Sequence, residues 1–177
     1  MTTSTLTAAR LSQLDQADFV PALDGIFEHS PWVAGRAWSR GPFADREALL
    51  GTLVGTMQAA PRSDQLALIR AHPELAGKAA VRGELTREST REQAGAGLAA
   101  CTQEEFELIQ ALNAAYNARF GFPFIIAVRG LTRGDIIAAM QRRLGNPDEV
   151  EFAEALTQIA RIAALRREER VDRKSVV

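Results

Sequence analysis

Along most of the chain, apolar residues return every three or four positions among polar ones, and these stretches are separated by residues that cap or stop a helix. Leu14 and Asp15 read as staple and cap for a first helix, with Phe19 packing back on Leu14 and with Val20, Leu23 and Phe27 repeating at helical spacing. Pro21 is placed in or near its first turn, where a missing N–H is harmless, and His29, Ser30 and Pro31 end it. EHSPWVAGRAW reads as a turn and a short helix, with Trp32 and Trp38 as core and lid packing. Asp45 caps a helix carrying Leu49, Leu50, Leu53, Val54 and Met57 as far as Pro61.

Ser63 is then a good N-cap, Asp64 suits a first turn, and Leu66 and Ile69 give one apolar face, so the next helix runs to about Ala71. Pro73 disfavours the α conformation at the residue before it, which fixes His72 at the helix end. Between Gly83 and Ala100 a further helix has two possible starts: Thr86, or Ser89 with Glu92 in a capping box. Thr102 and Glu105 form a second box, followed by Phe106, Ile109, Leu112 or Asn113, Tyr116 and Phe120, with Gly121 and Pro123 as the stop. Phe122 to Val128 is a continuous apolar run with no second strand to pair with. It reads as extended or irregular chain crossing the core, its backbone groups needing partners of which a bound ligand could be one. Thr132 and Asp135 open a helix through Met140 and Leu144 to Gly145. Asn146 caps the last helix, with Pro147 first and Glu149 third. There Phe152, Leu156, Ile159 and Ala163 lead on one face to Arg166, and the residues from Arg167 read as a solvated, fraying tail over 167–177. The count is seven or eight helices with short connections, an all-α helical bundle in a single domain spanning 1–177.

Composition narrows the class. With 46% hydrophobic and 24% charged residues and a net charge of −1, the 177-residue chain fits an ordinary globular domain. No basic stripe with interleaved aromatics appears outside the C-terminal Arg/Glu run, so a nucleic-acid partner is not expected and a small molecule or a protein is. Cys101 is the one cysteine and His29 and His72 the two histidines, which excludes an internal disulfide and a clustered zinc site. No signal peptide or long apolar span is visible, so a cytoplasmic location without a membrane partner is expected.

The chemistry open to such a chain is limited. There is no Gly-rich phosphate loop, HExxH pair or GxSxG elbow, and Lys78, beside Gly77 in a polar loop, is no Schiff-base lysine. Cys101, next to Thr102 at a helix start, reads as structural. At His72 the helix C-terminus favours the protonated ring and burial the neutral one, so the imidazole is a candidate proton donor or acceptor. A plain capping role is the competing reading. The helix start with Ser89, Glu92 and Gln93 is likewise a reciprocal cap or a polar recognition surface. Histidine, carboxylate, amide, hydroxyl and arginine together suit proton transfer on a small anion.

The motifs SPWVA, HPELAGK, ESTREQAGAGL, LNAAYNARFGFPFIIAVRG and QIARIAALR are more specific. Over nearly the whole chain they resemble the 2-oxo-4-hydroxy-4-carboxy-5-ureidoimidazoline (OHCU) decarboxylase family of the ureide branch of purine catabolism. The resemblance implies an all-α fold, a homodimer, and decarboxylation of a urate-oxidation product to (S)-allantoin with no cofactor. It makes His72 the catalytic acid/base, Pro73 its pocket neighbour, and Glu92 the carboxylate near the reacting centre. Ser89, Thr90, Arg91 and Gln93 match the substrate-binding turn, and Phe124, Ile125, Ile126, Ala127, Val128 and Arg129 the segment that meets the ring. Arg166 matches the terminal-helix arginine, with Arg161 and Arg167 nearby. His29 departs from the pattern, standing where a less ionisable residue is expected before SPW. The alternatives are a non-catalytic helical interaction domain, or a related lyase or hydrolase acting on another ureide.

Overall fold

The computed structural model describes residues 6–171, with Ala79 described for its backbone only. In chain order the elements are α1 (Ala8–Leu11), α2 (Gln16–Ala22), α3 (Trp32–Trp38), α4 (Arg46–Gln58), α5 (Arg62–Ala71), α6 (Lys78–Arg82) and α7 (Arg87–Gly95). They continue with the 3₁₀ turn η1 (Leu98–Ala100), α8 (Gln103–Phe120), α9 (Arg133–Arg143) and α10 (Asp148–Arg170). The fold is all-α, and among the described residues the sole β feature is an isolated bridge between Leu6 and Val171. Eight of these helices have seven or more residues, matching the expected number; the short α1, α6 and η1 are additional.

Local chemistry sets most of the boundaries. Asp15, Asp45, Thr86, Thr102 and Thr132 each accept a hydrogen bond from a first-turn N–H, and the last two complete reciprocal capping boxes with Glu105 and Asp135. Of the two starts open for α7, the chain uses Thr86. Gly121 ends α8 with φ +75°, a conformation in which a side chain would be strained.

Other expectations fail for identifiable reasons. Pro21 lies in the last turn of α2, not the first, and the chain then runs through i to i−3 turns past Gly25 at φ +87°, so Leu23 and Phe27 fall outside the helix. α5 starts at Arg62 because the Pro61 carbonyl takes the Asp64 and Gln65 amides, which leaves Ser63 inside the helix. Its buried face is Gln65, Leu68, Ile69 and His72, with Leu66 only half-buried. Lys78 opens α6 instead of lying in a loop. Asn146 does not begin α10; the Pro147 carbonyl accepts the Glu151 amide, and the Asn146 side chain donates to the Glu151 carboxylate at 2.8 Å. The frayed tail is also corrected as far as it is described: Arg167 and Val171 are buried and α10 continues to Arg170, because Arg167 pairs with Glu47 at 2.7 Å. Residues 172–177 lie outside the described residues.

The chain forms two helical units, residues 1–68 with 160–177, and residues 69–159. In the first, α2 packs on α3 and α3 on α4. Phe19 stacks on Phe43 with centroids 5.7 Å apart, and the Trp38 indole donates to the Leu14 carbonyl at 2.9 Å while its ring stays partly exposed. In the second, Tyr116 of α8 is fully buried among Phe120, Phe122 and Phe124. Beside them Arg143 of α9 binds the fully buried Glu151 of α10, with Nη2 2.9 Å from Oε2, and the Tyr116 hydroxyl donates to the same carboxylate.

Burial pushes the Glu151 carboxyl up, but hydrogen bonds from Arg143, Tyr116 and Asn146, with the Arg143 charge, outweigh it and hold the group below the usual carboxylate range. Burial, then the Glu151 carboxylate, pushes the Tyr116 phenol far up, so it remains a donor. A carboxylate depressed in this way contributes stability that is complete above its unfolded value of about 4.3 and is lost as pH falls through the folded value. Glu151→Gln leaves Arg143 buried without its counter-charge and is expected to cost about 3–5 kcal/mol in urea unfolding at neutral pH. The variant's stability should also fall less steeply than the wild type's as the solution is acidified below about pH 4.

Candidate active site

His72 follows the last residue of α5, is buried, and closes the helix by donating its N–H to the Ile69 carbonyl at 3.2 Å. It falls one turn beyond Leu68 and Ile69 on the buried face, so the periodicity that packs α5 also buries the imidazole. Pro73 then prevents the helix from continuing.

The residues after it form a tight, non-helical turn. Ala76 adopts φ +49°, and a Cβ at Gly77 would lie 2.8 Å from the Glu74 Cβ, too close for any other residue without a shift of the chain. Side-chain amides hold this turn. Gln93 of α7 accepts from the Ala76 N–H at 2.9 Å and donates to the Glu74 carbonyl at 3.4 Å. From α8, Gln110 donates to the Ala76 carbonyl at 2.6 Å, Asn113 to the Leu75 carbonyl at 2.9 Å, and Asn117 to the Glu74 carboxylate.

The turn expected around Ser89 divides by face. Ser89 and Gln93, four residues apart, are buried, and Glu92 is half-buried between them. Thr90 and Arg91 lie on the exposed side, with the Thr90 hydroxyl donating to the Thr86 carbonyl at 2.9 Å. Gln93 is therefore the residue that ties α7 to the His72 turn, while its amide keeps one further N–H and lone pair.

The segment Phe124 to Val128 belongs to no helix, and of its backbone partners Arg143 lies outside the quoted motifs while Gln158 opens QIARIAALR. Arg143 Nη1 donates to the Ile125 carbonyl at 2.8 Å, and the Ala127 N–H donates to Gln158 Oε1 at 3.0 Å. The Arg143 guanidinium also stacks over Phe124, 4.3 Å from the ring centroid. Phe124, Ile125 and Val128 are buried, Ile126 and Ala127 half-buried, and Arg129 exposed. A periodicity signal for the missing partner existed: Ile136, Ala139, Met140 and Arg143 form one buried stripe of α9.

The second unit thus contains His72, Pro73, Ser89 to Gln93 and Phe124 to Arg129, whereas Arg166 belongs to the first. There Arg166 is buried and donates to Glu28 Oε2 at 2.7 Å and to the Gly25 carbonyl at 2.9 Å. Arg161 is exposed, and Arg167 is engaged with Glu47, whose carboxyl it holds below the usual range by a hydrogen bond. His29 is largely exposed at φ +46°, 3.9 Å from the Glu28 carboxylate.

A cavity of about 400 Å³ in the second unit is bounded by α6, α7, η1 and the start of α8, and Ala76 of the His72 turn, Thr90 and Gln93 are among the residues that line it. Ala80, Val81, Leu98 and Phe106 line it, no charged side chain does, and neither His72 nor Glu92 reaches it. Cys101 at its wall has its thiol pushed up by burial and the nearby Glu105, which fits an unreactive role.

A family model described as OHCU decarboxylase matches residues 12–168. A 2-oxo-4-hydroxy-4-carboxy-5-ureidoimidazoline decarboxylase of Halalkalicoccus jeotgali is 43% identical over 93% of this chain and 91% of that protein. A uric acid degradation bifunctional protein of Bacillus subtilis is 42% identical over 88% of this chain and 31% of its own length. The crystal structure of (S)-allantoin synthase superposes with a TM-score of 0.77 at 28% identity, covering 94% of this chain and 54% of that one, so this chain spans about half its length.

The clamp on the His72 turn is open to direct measurement. In Gln93→Leu the buried Ala76 N–H loses its acceptor, which costs about 1–3 kcal/mol, so its hydrogen exchange followed by NMR should quicken roughly ten- to hundred-fold. Unchanged exchange would show that the clamp does not hold the turn.

Proposed function

The chain belongs to the OHCU decarboxylase family, and from that premise we propose that it is a carboxy-lyase converting 2-oxo-4-hydroxy-4-carboxy-5-ureidoimidazoline to (S)-allantoin in urate degradation. The observation that carries the reading is the family match over residues 12–168. The buried His72, held at a helix end by an externally bonded turn, supports it. Such a group is fixed in place, as stereospecific proton transfer requires.

Heterolysis of the bond between ring carbon and carboxylate releases CO₂ and leaves an electron pair that moves into the substrate's own adjacent C=N bond. No external electron sink is required. A proton taken up by the ring nitrogen of that C=N bond, a proton delivered to the neighbouring ring carbon, and loss of the hydroxyl proton to form the carbonyl complete allantoin. In our reading His72 delivers the carbon-bound proton from one face, which sets the single configuration of the product. Glu92 faces the hydroxyl, and Ser89 and Gln93 bind the ureido and ring groups, with Thr90 and Arg91 completing their turn. Pro73 and the segment Phe124, Ile125, Ile126, Ala127, Val128 and Arg129 hold the ring, and Arg166 acts on the substrate's carboxylate side. Residues 1–177 act as a single decarboxylase domain, in a cytoplasmic homodimer with no nucleic-acid or membrane partner. Among the described residues no helix is long and apolar enough to cross a membrane.

Fresh urate-oxidation product, followed by circular dichroism, tests the proposal. The wild type should give optically active allantoin, and His72→Asn should lower the rate by about 10² to 10⁴-fold with the helical signal intact. Slow racemic decay with both proteins would leave a non-catalytic domain, and turnover of a different ureide alone would move the assignment to that substrate.

A further inference from the structure

The amides that hold the His72 turn from α8 form an ordered row. Gln110, Asn113 and Asn117 stand three and four residues apart on one helix face, and their partners run in the opposite sense, through Ala76, Leu75 and Glu74. The first two steps along α8 therefore fix successive peptide carbonyls back toward His72, and the third holds the Glu74 carboxylate.

Asn113 differs from its two neighbours. It is 2% exposed, its Nδ2 is spent on the Leu75 carbonyl, and its Oδ1 has no hydrogen-bond partner among the described residues. Exchanging the two ends of the amide would set one carbonyl oxygen against another, so the Leu75 bond dictates the orientation. A buried acceptor without a partner is unfavourable, which makes Asn113 a poor device for stability alone. What it does supply is the place of one peptide group three residues beyond His72. Between them, Pro73 locks one torsion, and on the other side the His72 N–H is tied to the Ile69 carbonyl at 3.2 Å. Little slack remains to absorb a displacement of the Leu75 peptide before it reaches the imidazole.

We propose that Asn113 is a positioning residue, which sets the stance of the His72 ring through the Leu75 carbonyl without touching the substrate. This rests on the reading of His72 as the proton-transfer group. Asn113→Leu removes the donor together with the unused acceptor at similar volume, and Asn113→Asp keeps shape and acceptor but loses the donor. Both should lower kcat by about 10- to 100-fold, the size of effect that a misplaced catalytic group produces. KM should stay within about threefold, and the His72 ring resonances and the pH–rate profile should move. Asp45→Ala, which removes the α4 cap in the first unit, serves as a destabilised control with kcat unchanged.

A KM increase at constant kcat would make Asn113 a substrate contact and overturn the proposal. So would wild-type kcat per folded molecule with unmoved His72 resonances, which is the signature of a purely structural residue. If Asn113→Leu does not fold by circular dichroism, Asn113→Asp decides the matter, since retained activity there shows the donor to be dispensable. The ring-resonance shift is read without turnover, so an inactive wild type, which would remove the decarboxylase reading, leaves this test intact.

Discussion

The turn after His72 and the segment from Phe122 to Val128 are buried without being helical, and both carry peptide groups that no helix ladder satisfies. A buried peptide group left unpaired costs as much as a lost hydrogen bond, so these segments exist only where polar side chains come to meet them. Gln93, Gln110 and Asn113 do so for the first, and Arg143 and Gln158 for the second. α8 is common to both. One of its faces carries the amide row, and Tyr116 joins the Phe124 ring to the Glu151 carboxylate. The two segments that the family motifs mark are thus referred to a single helix.

Charge is used in the same manner. Arg143 and Glu151 are withdrawn from water at a desolvation cost that a hydrophobic pair would avoid, and such pairs contribute little net stability. Their yield here is geometric, because the guanidinium that neutralises Glu151 also holds the Ile125 carbonyl and stacks on Phe124. The Arg166 and Glu28 pair in the first unit follows the same pattern, with the Gly25 carbonyl as its third member.

Features decided within a few residues were legible in the sequence. The boxes at Thr102 and Thr132, the Asp45 cap, and the stop at Gly121 and Pro123 are local, and they stand as read. At Ser63 and Asn146 a proline carbonyl took the place of the expected side-chain cap, whereas α2 keeps its Asp15 cap and is cut short after Pro21 by i to i−3 turns. Pairings across long separations were not legible, since Glu28 and Arg166 lie 138 residues apart. Their positions nevertheless left a trace. Arg143, Asn113 and Arg166 all fall on otherwise apolar helical stripes, and the one of them singled out in advance, Arg166, was found by that rule. Activity came from motif resemblance, since residue types alone were also compatible with a set of helix caps.

The first helical unit is discontinuous in sequence, assembled from residues up to 68 and from 160 onward, and the bridge between Leu6 and Val171 closes it. During synthesis its opening helices leave the ribosome long before α10 can supply Arg166 and Arg167. Glu28 emerges before Arg166 has been translated, while the intervening unit, continuous in the chain, is complete once residue 159 is made. Vectorial production therefore favours the inserted unit, and with it the His72 turn, as the earlier to mature.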